Sequence, residues 1–310
     1  MFWFTLTLNL LHLSAHAAAS LPTTVLFQTS DGSSLENLAA RASSELLVTS
    51  TSVSTLFSFD PTAKNPTLTD VVTFPNANAL LGIGEIRPDV FAVVAAELNT
   101  TTLTATPGSA VIWTVDFTVR GTPKTTKGAS IPQAGLANGL CALPGNPDVV
   151  LVADSVLGVA WGANVRTGAV SVFLEDVAMT PIGPSDPDAP PLGINGLHAQ
   201  GGQLYFTNSQ RGTFSRMPLA GGAVQQLGTN LGLLDDFALD SQGRGWLATN
   251  PGSLTLMDPA RNVELVVVNT TLNEPSSAAF GRVGAKATKT LFVTTRGGQL
   301  AAVDTSGVAA

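Results

Sequence analysis

The sequence predicts an all-β fold, a six-bladed β-propeller with four-stranded antiparallel blades. Six times along the chain, a short apolar strand pattern is followed by a second strand that ends in small polar residues, and then by a third strand. The six units start roughly 40 to 57 residues apart, as expected for propeller blades. Val, Leu, Phe and Thr dominate the strands, whereas Gly, Asn, Asp and Pro fill the turns. A β-sandwich is the alternative, but it would not account for six copies of one unit.

The repeated units cover nearly the whole chain. In chain order they read LENLAARASSELLVTSTSVSTLFSFDP, LLGIGEIRPDVFAVVAAELN, LANGLCALPGNPDVVLVADSVLGVAWGAN, GINGLHAQGGQLYFTNSQRGTFSRMP, LLDDFALDSQGRGWLATNPGSLTLMDP and EPSSAAFGRVGAKATKTLFVTTRGGQLAAVD. A fourth strand such as AVSVFLE follows most of them. We expect the early strand TTVLFQ, Thr23–Gln28, to complete the last blade and close the ring.

The N-terminal segment predicts export. Residues 1–19 are apolar and end in small residues, with an Ala-His-Ala cleavage pattern at 15–17, which is typical of a secretory signal peptide. We assign residues 20–310 to a single propeller domain. Asn99 and Asn269 each begin an Asn-Thr-Thr glycosylation sequon, which agrees with passage through the secretory pathway. We therefore expect a secreted glycoprotein.

Composition excludes several classes of function. The 310 residues are 44% hydrophobic and 12% charged, with a net charge of −7, which argues against disorder, nucleic-acid binding and binding to anionic membranes. Cys141 is the sole cysteine, so no intrachain disulfide forms. Cleavage of the signal would leave His198 as the last histidine, too few for a His/Cys zinc site. Oxygen ligands remain abundant and suit Ca²⁺. We expect a monomer that binds an apolar small molecule.

The first residues of the six innermost strands are predicted to meet at one mouth of the central channel. Innermost strands run side by side, so equivalent positions converge around the axis. We call these positions the strand heads and assign them to Glu36, Gly82, Asn138, Asn195, Asp235 and Ser276. Four of them, the two carboxylates and the two amides, are strong oxygen donors, which predicts a cation site, although Asn-Gly pairs are also ordinary turn signals.

Three other polar residues are candidates for the substrate pocket. His198 follows the head of blade 4, and Asn208 and Asn250 end equivalent second strands. Each also has a structural alternative, because His198 could pack within its blade and the two asparagines could cap turns. We also note Arg296, which either lines the mouth or is solvated.

These residues resemble the SMP-30/gluconolactonase/LRE-like family. The similarity lies in the Asn-Gly-Leu of blades 3 and 4, the Asp that opens blade 5 and the Glu of blade 1. The resemblance implies a divalent cation, usually Ca²⁺, held by Glu36, Asn195 and Asp235, with Asn138 near metal and substrate. It also implies that Asp235 is the catalytic base or water-activating group.

One departure from the family pattern concerns the substrate. Family members that hydrolyse sugar lactones place an Arg just before the blade 3 Asn, where this chain has Leu136. The low charge, export and lack of disulfides are more similar to fungal members of the superfamily, some of which are hetero-Diels–Alderases. These join a quinone-methide-type diene to a terpene alkene.

Three functions therefore remain open from the sequence. In a hetero-Diels–Alderase, the pocket would hold two apolar partners and exclude water, with Asp235 taking a proton if the diene forms by loss of water. In a Ca²⁺-dependent lactonase, the metal would polarise the carbonyl, with Asp235 assisting a bound water. In a non-catalytic binding propeller, Glu36 and Asp235 would hold a Ca²⁺ that stabilises the ring. We favour the first.

Overall fold

The computed structural model confirms the six-bladed propeller, with six four-stranded antiparallel sheets packed around a channel. It describes residues 20–183, 191–261, 263–269, 271–282 and 288–308. The predicted signal peptide, residues 1–19, lies outside the described residues. Within the described ranges, we find no helix with the length and apolar character of a membrane span.

The first three blades follow one another along the chain. Blade 1 contains β2 (Leu38–Ala40), β3 (Leu46–Val48), β4 (Thr55–Phe59) and β5 (Leu68–Thr73). Blade 2 contains β6 (Ala79–Arg87), β7 (Val90–Ala96), β10 (Val111–Asp116) and β11 (Lys124–Ser130), with a small hairpin of β8 (Leu98–Asn99) and β9 (Thr104–Ala105) inserted between its second and third strands. Blade 3 contains β12 (Ala137–Leu143), β13 (Asn146–Asp154), β14 (Val159–Asn164) and β15 (Val170–Glu175).

The last three blades complete the ring. A short 3₁₀ helix, Val177–Met179, leads towards blade 4, which contains β16 (Ile194–Gln200), β17 (Gln203–Asn208), β18 (Thr213–Pro218) and β19 (Gln225–Gly228). Blade 5 contains β20 (Leu233–Leu239), β21 (Gly245–Asn250), β22 (Ser253–Asp258) and β23 (Val263–Asn269). Blade 6 contains β24 (Pro275–Phe280), β25 (Thr290–Thr295), β26 (Gln299–Asp304) and β1 (Thr23–Gln28). The prediction that the first strand closes the last blade is confirmed.

The hydrophobic core lies between the blades rather than within one centre. The buried apolar residues of the described chain form six clusters, one at each interface between neighbouring blades. Between blades 4 and 5, for example, the rings of Phe214 and Phe237 meet edge to face with centroids 5.0 Å apart. Such burial stabilises by about 25 cal/mol per Å² of apolar surface, so the ring closes without disulfides. Cys141 is buried and unpaired, as expected.

Bulges at the start of the innermost strands decide which side chains reach the channel mouth. In blades 2 to 6 the pairing of the first and second strands shifts at this point. In blades 2, 3 and 4 the second residue of the bulge is glycine, because a Cβ on Gly82, Gly139 or Gly196 would lie 2.1–2.6 Å from an atom of the next blade. Gly82 therefore aligns with Gly139, and Leu81 is the head of blade 2. The assignment of Gly82 was wrong by one residue; this glycine matches the glycines of the Asn-Gly pairs in blades 3 and 4 and is the mark that the bulge leaves in the sequence.

Candidate functional site

The four predicted oxygen donors converge on one cavity at a mouth of the channel. Glu36, Asn138, Asn195 and Asp235 come from blades 1, 3, 4 and 5, and all four line a cavity of about 270 Å³. Each is nearly buried, with 5–6% of its surface exposed. We call this cavity the upper pocket. The prediction that distant strand heads meet around the axis is confirmed, whereas their chemical roles remain a prediction.

The upper pocket has an apolar side and a polar side. Blades 2 to 4, with their loops, supply five leucines, which are Leu81, Leu98, Leu103, Leu136 and Leu192. Blades 6 and 1, on the other side of the ring, supply Glu274, Arg296, Ser34, Thr51 and Ser52. Leu136 stands where a sugar-lactone hydrolase carries an Arg, so the apolar side continues to the oxygen donors. The pocket can therefore hold a molecule with one apolar and one oxygen-bearing end.

The two buried carboxyl groups have perturbed protonation. Burial raises the pKa of Glu36 well above its usual range, and the nearby Asp235 raises it further, while Arg296 lowers it. Burial likewise raises the pKa of Asp235 to about 7, where Arg296 lowers the pKa and Asp236 raises it. Two acids that repel each other in a poorly solvated pocket hold protons near neutral pH unless a cation lies between them.

The side chains of Asn138 and Asn195 present oxygen atoms to the carboxyl groups of Glu36 and Asp235. Asn138 Oδ1 and Asn195 Oδ1 are buried and have no hydrogen-bond partner within the part of the chain that the structure describes. A buried carbonyl oxygen left unpaired costs about 1–3 kcal/mol, so each is poised to accept from a ligand.

This donor set fits a hard divalent cation. Glu36 and Asp235 supply charge, while Asn138 and Asn195 supply neutral oxygens, and Ca²⁺ takes its remaining ligands from water or substrate. In the described ranges no three His, Cys, Asp or Glu side chains are grouped so as to hold a metal. A site here therefore depends on the two amides.

The structure does not bring the other three pocket candidates to this mouth. His198 lines a separate cavity of about 460 Å³, built from the opposite ends of the same innermost strands, where its Nε2 lies 3.1 Å from Asp236 Oδ1. Asn208 is fully buried and donates to the carbonyls of Ala178 and Thr180 at 3.0 Å. Asn250 donates to the carbonyl of Pro275 at 3.4 Å. None of the three lines the upper pocket, because His198 lies towards the far end of its strand and the two asparagines hydrogen-bond to backbone carbonyls of neighbouring segments.

Sequence reasoning gave no clear role to Arg296 and missed the leucines. Arg296 directly follows β25 and lines the upper pocket; its Nε is buried without a hydrogen bond to any described residue, and Glu274 Oε2 lies 3.9 Å away. The Arg-Gly-Gly after a second strand was the available signal. Leu98 and Leu103 belong to the β8–β9 insertion, which breaks the repeat.

The fold resembles that of propellers of the SMP-30/gluconolactonase/LRE-like family. Two solved structures share the fold. A luciferin-regenerating enzyme superposes with a TM-score of 0.67 at 15% identity, over 93% of this chain and 96% of the other. A gluconolactonase from Xanthomonas campestris superposes with a TM-score of 0.61 at 14% identity, over 94% and 92%.

The sequence relatives point to one branch of such propellers. The chain is 25% identical over 299 residues to a Phoma sp. protein provisionally named a hetero-Diels-Alderase, covering 84% of this chain and 83% of the relative. It is 26% identical over 319 residues to asR5 of Sarocladium schorii, which carries the same provisional name, covering 88% and 78%. No family model matches the chain. The resemblance predicted from the sequence is confirmed.

Proposed function

We propose that this protein is a secreted hetero-Diels–Alderase that joins an oxygen-bearing diene to an apolar alkene in the upper pocket. The observation that carries the proposal is the division of this pocket into a leucine side and a side of acids, amides and Arg296. The two relatives with hetero-Diels-Alderase names support it over most of the chain. In this reaction one C–C and one C–O bond form, the diene and alkene π electrons rearrange, and no atom leaves.

Positioning supplies most of the catalysis. Leu81, Leu136 and Leu192 hold the alkene against the diene and exclude water from the reacting atoms. Holding two partners in reacting geometry can contribute about 7–11 kcal/mol to lowering the barrier. Each leucine comes from a different blade, and the blades are joined by buried interfaces, so the wall is rigid.

Arg296 polarises the diene. Its guanidinium lies on the oxygen-binding side, and its buried Nε has no acceptor among the described residues. A carbonyl oxygen of a quinone methide placed there would accept this hydrogen bond, which draws electron density from the diene and speeds attack by the electron-rich alkene.

Asp235 prepares the diene when the precursor is a hydroxylated phenol. The Asp235 carboxylate takes the phenolic proton and returns it to the departing hydroxyl, so the products are the quinone methide and water. In the metal-free pocket, a pKa of about 7 suits a group that both accepts and donates a proton at neutral pH.

A cation would occupy the oxygen-rich end of the pocket. Glu36, Asn138, Asn195 and Asp235 would hold it, and when bound it would supply Lewis-acid polarisation of a substrate oxygen. The same four donors favour a second candidate function, a Ca²⁺-dependent lactonase acting on an apolar lactone. The gluconolactonase fold is compatible with this alternative.

The test compares two substrate classes with one preparation of the protein. We expect faster formation of a cycloadduct from an ortho-hydroxybenzyl alcohol and a trisubstituted terpene alkene, with excess of one stereoisomer. Arg296→Met should lower this rate about 10²-fold, by loss of a charged donor. Hydrolysis of a long-chain lactone that stops with chelator and returns with Ca²⁺, without any cycloaddition, would instead establish the lactonase. Absence of both activities would leave a binding propeller and refute the proposal.

A further inference from the structure

Two buried serines lie directly behind the amides of the upper pocket. Ser155 and Ser209 follow the second strands of blades 3 and 4, at equivalent positions in the strand pairing. Asn138 Nδ2 lies 3.1 Å from Ser155 Oγ, and Asn195 Nδ2 lies 3.0 Å from Ser209 Oγ. The same contact therefore occurs in two consecutive blades.

The direction of these hydrogen bonds is fixed by the next blade. Ser155 Oγ lies 2.7 Å from the carbonyl oxygen of Ile194, and Ser209 Oγ lies 2.7 Å from the carbonyl oxygen of Leu234. A backbone carbonyl can only accept, and a hydroxyl has a single proton. Each serine has therefore committed its proton, and towards the asparagine it can only accept.

An asparagine that meets an acceptor must turn its NH₂ group towards it. The amide oxygen then faces the opposite way, which agrees with the buried and unpartnered Oδ1 atoms of Asn138 and Asn195. Without the serines, either amide could rotate by 180° and turn N–H groups towards a cation.

The residue that occupies the Ser155 and Ser209 position in the other blades differs according to the strand head in front of it. The serine occurs behind the two heads that are asparagines. Blade 5, whose head is the symmetric carboxylate Asp235, has Asn250 there, and blade 2, whose head is Leu81, has Ala96. A carboxylate presents oxygen in either orientation, so it needs no such partner.

We propose that Ser155 and Ser209 are positioning residues that fix Asn138 and Asn195 with their oxygens towards a divalent cation in the upper pocket. The inference rests on the cation site of the proposed function. It assigns to the serines no contact with substrate or metal. Partners of this kind, behind a metal ligand, typically change metal affinity 10–100-fold when removed.

Calcium affinity measured by titration calorimetry on the full chain at pH 8 tests the inference without any activity assay. We expect Ser209→Ala to weaken Ca²⁺ binding at least tenfold. Ser215→Ala is the matched control, since Ser215 is a fully buried serine of the same blade whose hydroxyl has no hydrogen-bond partner among the described residues. It should bind as the wild type does.

Repeating the Ser209→Ala substitution in an Asn195→Asp background separates the loss of amide orientation from a general disruption of the fold. Asn195→Asp presents oxygen whichever way it turns, so in this background Ser209→Ala should change Ca²⁺ affinity less than twofold. A loss of tenfold or more in both backgrounds would mean that Ser209 merely holds the blades together, and would overturn the inference. Unchanged affinity of Ser209→Ala would overturn it too, while leaving the cation site intact. If the wild type binds no Ca²⁺, both the cation site and the inference are wrong.

Discussion

Replacing Asp235 by Asn tests the electrostatics of the upper pocket through stability alone. The substitution keeps the shape of the side chain and removes its charge. In the metal-free protein the Asp235 carboxylate is buried beside Glu36, and burial is the main reason why its pKa is raised to about 7. A group whose pKa is raised on folding contributes stability below its unfolded pKa, and this contribution is lost as the pH rises through the folded value.

The size of the effect follows from the pKa. The value rises from an ordinary 3.8 to about 7, and each pKa unit corresponds to about 1.4 kcal/mol. Ionising Asp235 therefore lowers the free energy of unfolding by about 4 kcal/mol at pH 8 but by only about 1 kcal/mol at pH 4.5. Asp235→Asn removes this penalty, so the variant should gain stability over the wild type as the pH rises.

Urea unfolding in the presence of chelator, at pH 4.5 and pH 8, measures the difference. We expect Asp235→Asn to be more stable than the wild type at pH 8 and close to it at pH 4.5. Asp236→Asn is the control with the opposite sign, because the Asp236 carboxylate accepts from Ser277 Oγ at 3.0 Å and pairs with His198. Loss of the Asp236 carboxylate should lower the free energy of unfolding at pH 8. Equal stability differences for Asp235→Asn at both pH values would refute the reasoning.

Further predictions concern the cation, the fold and the surface. Ca²⁺ should raise the melting temperature more at pH 8 than at pH 5.5, because below pH 7 it must displace a proton from Asp235; equal shifts would contradict this. Gly196→Ala should lower the free energy of unfolding by about 1–3 kcal/mol, since its Cβ would lie 2.1 Å from Asp236 Oδ1, while Gly307→Ala, with open space, should change little. His198→Leu should destabilise by about 1–3 kcal/mol, because the buried Asp236 Oδ1 loses its hydrogen bond to His198, without changing turnover; a large loss of turnover at unchanged stability would return His198 to the substrate site. Asn99 is exposed, so we expect protein expressed through a secretory pathway to lose mass with an N-glycosidase, and Asn99→Gln should remove part of that shift.

The fold was predictable because the sequence repeats itself. Six equivalent units allowed the strands to be aligned, and the heads Glu36, Asn138, Asn195 and Asp235 were found from that alignment. Thr23–Gln28 was recognised as the closing strand because its sequence is a strand pattern without a blade of its own. Regular repetition thus placed residues far apart in sequence around one axis.

The rest of the site lay beyond pattern reasoning. The blade 2 head is Leu81 rather than Gly82, because the glycine that marks the bulge there was taken for the head itself. His198 was expected at the upper mouth, but it lies three residues beyond the head Asn195 and lines the cavity at the opposite end of the channel. Arg296 follows its strand at the position where blade 4 has Ser209, and only the pairing register shows that they are equivalent. The Asn269 side chain and residue 270 lie outside the described parts, so that sequon stays a prediction.

The location of the reaction is tested most directly by filling each end of the channel in turn. Leu192→Trp would fill the upper pocket, and Ala142→Trp would fill the cavity at the opposite mouth, which Ala142 lines. The measurement is the rate of cycloadduct formation by each folded variant. We predict that Leu192→Trp loses at least nine-tenths of the rate and that Ala142→Trp retains it. The reverse result, with full activity in Leu192→Trp and loss in Ala142→Trp, would contradict the assignment of the upper pocket as the active site.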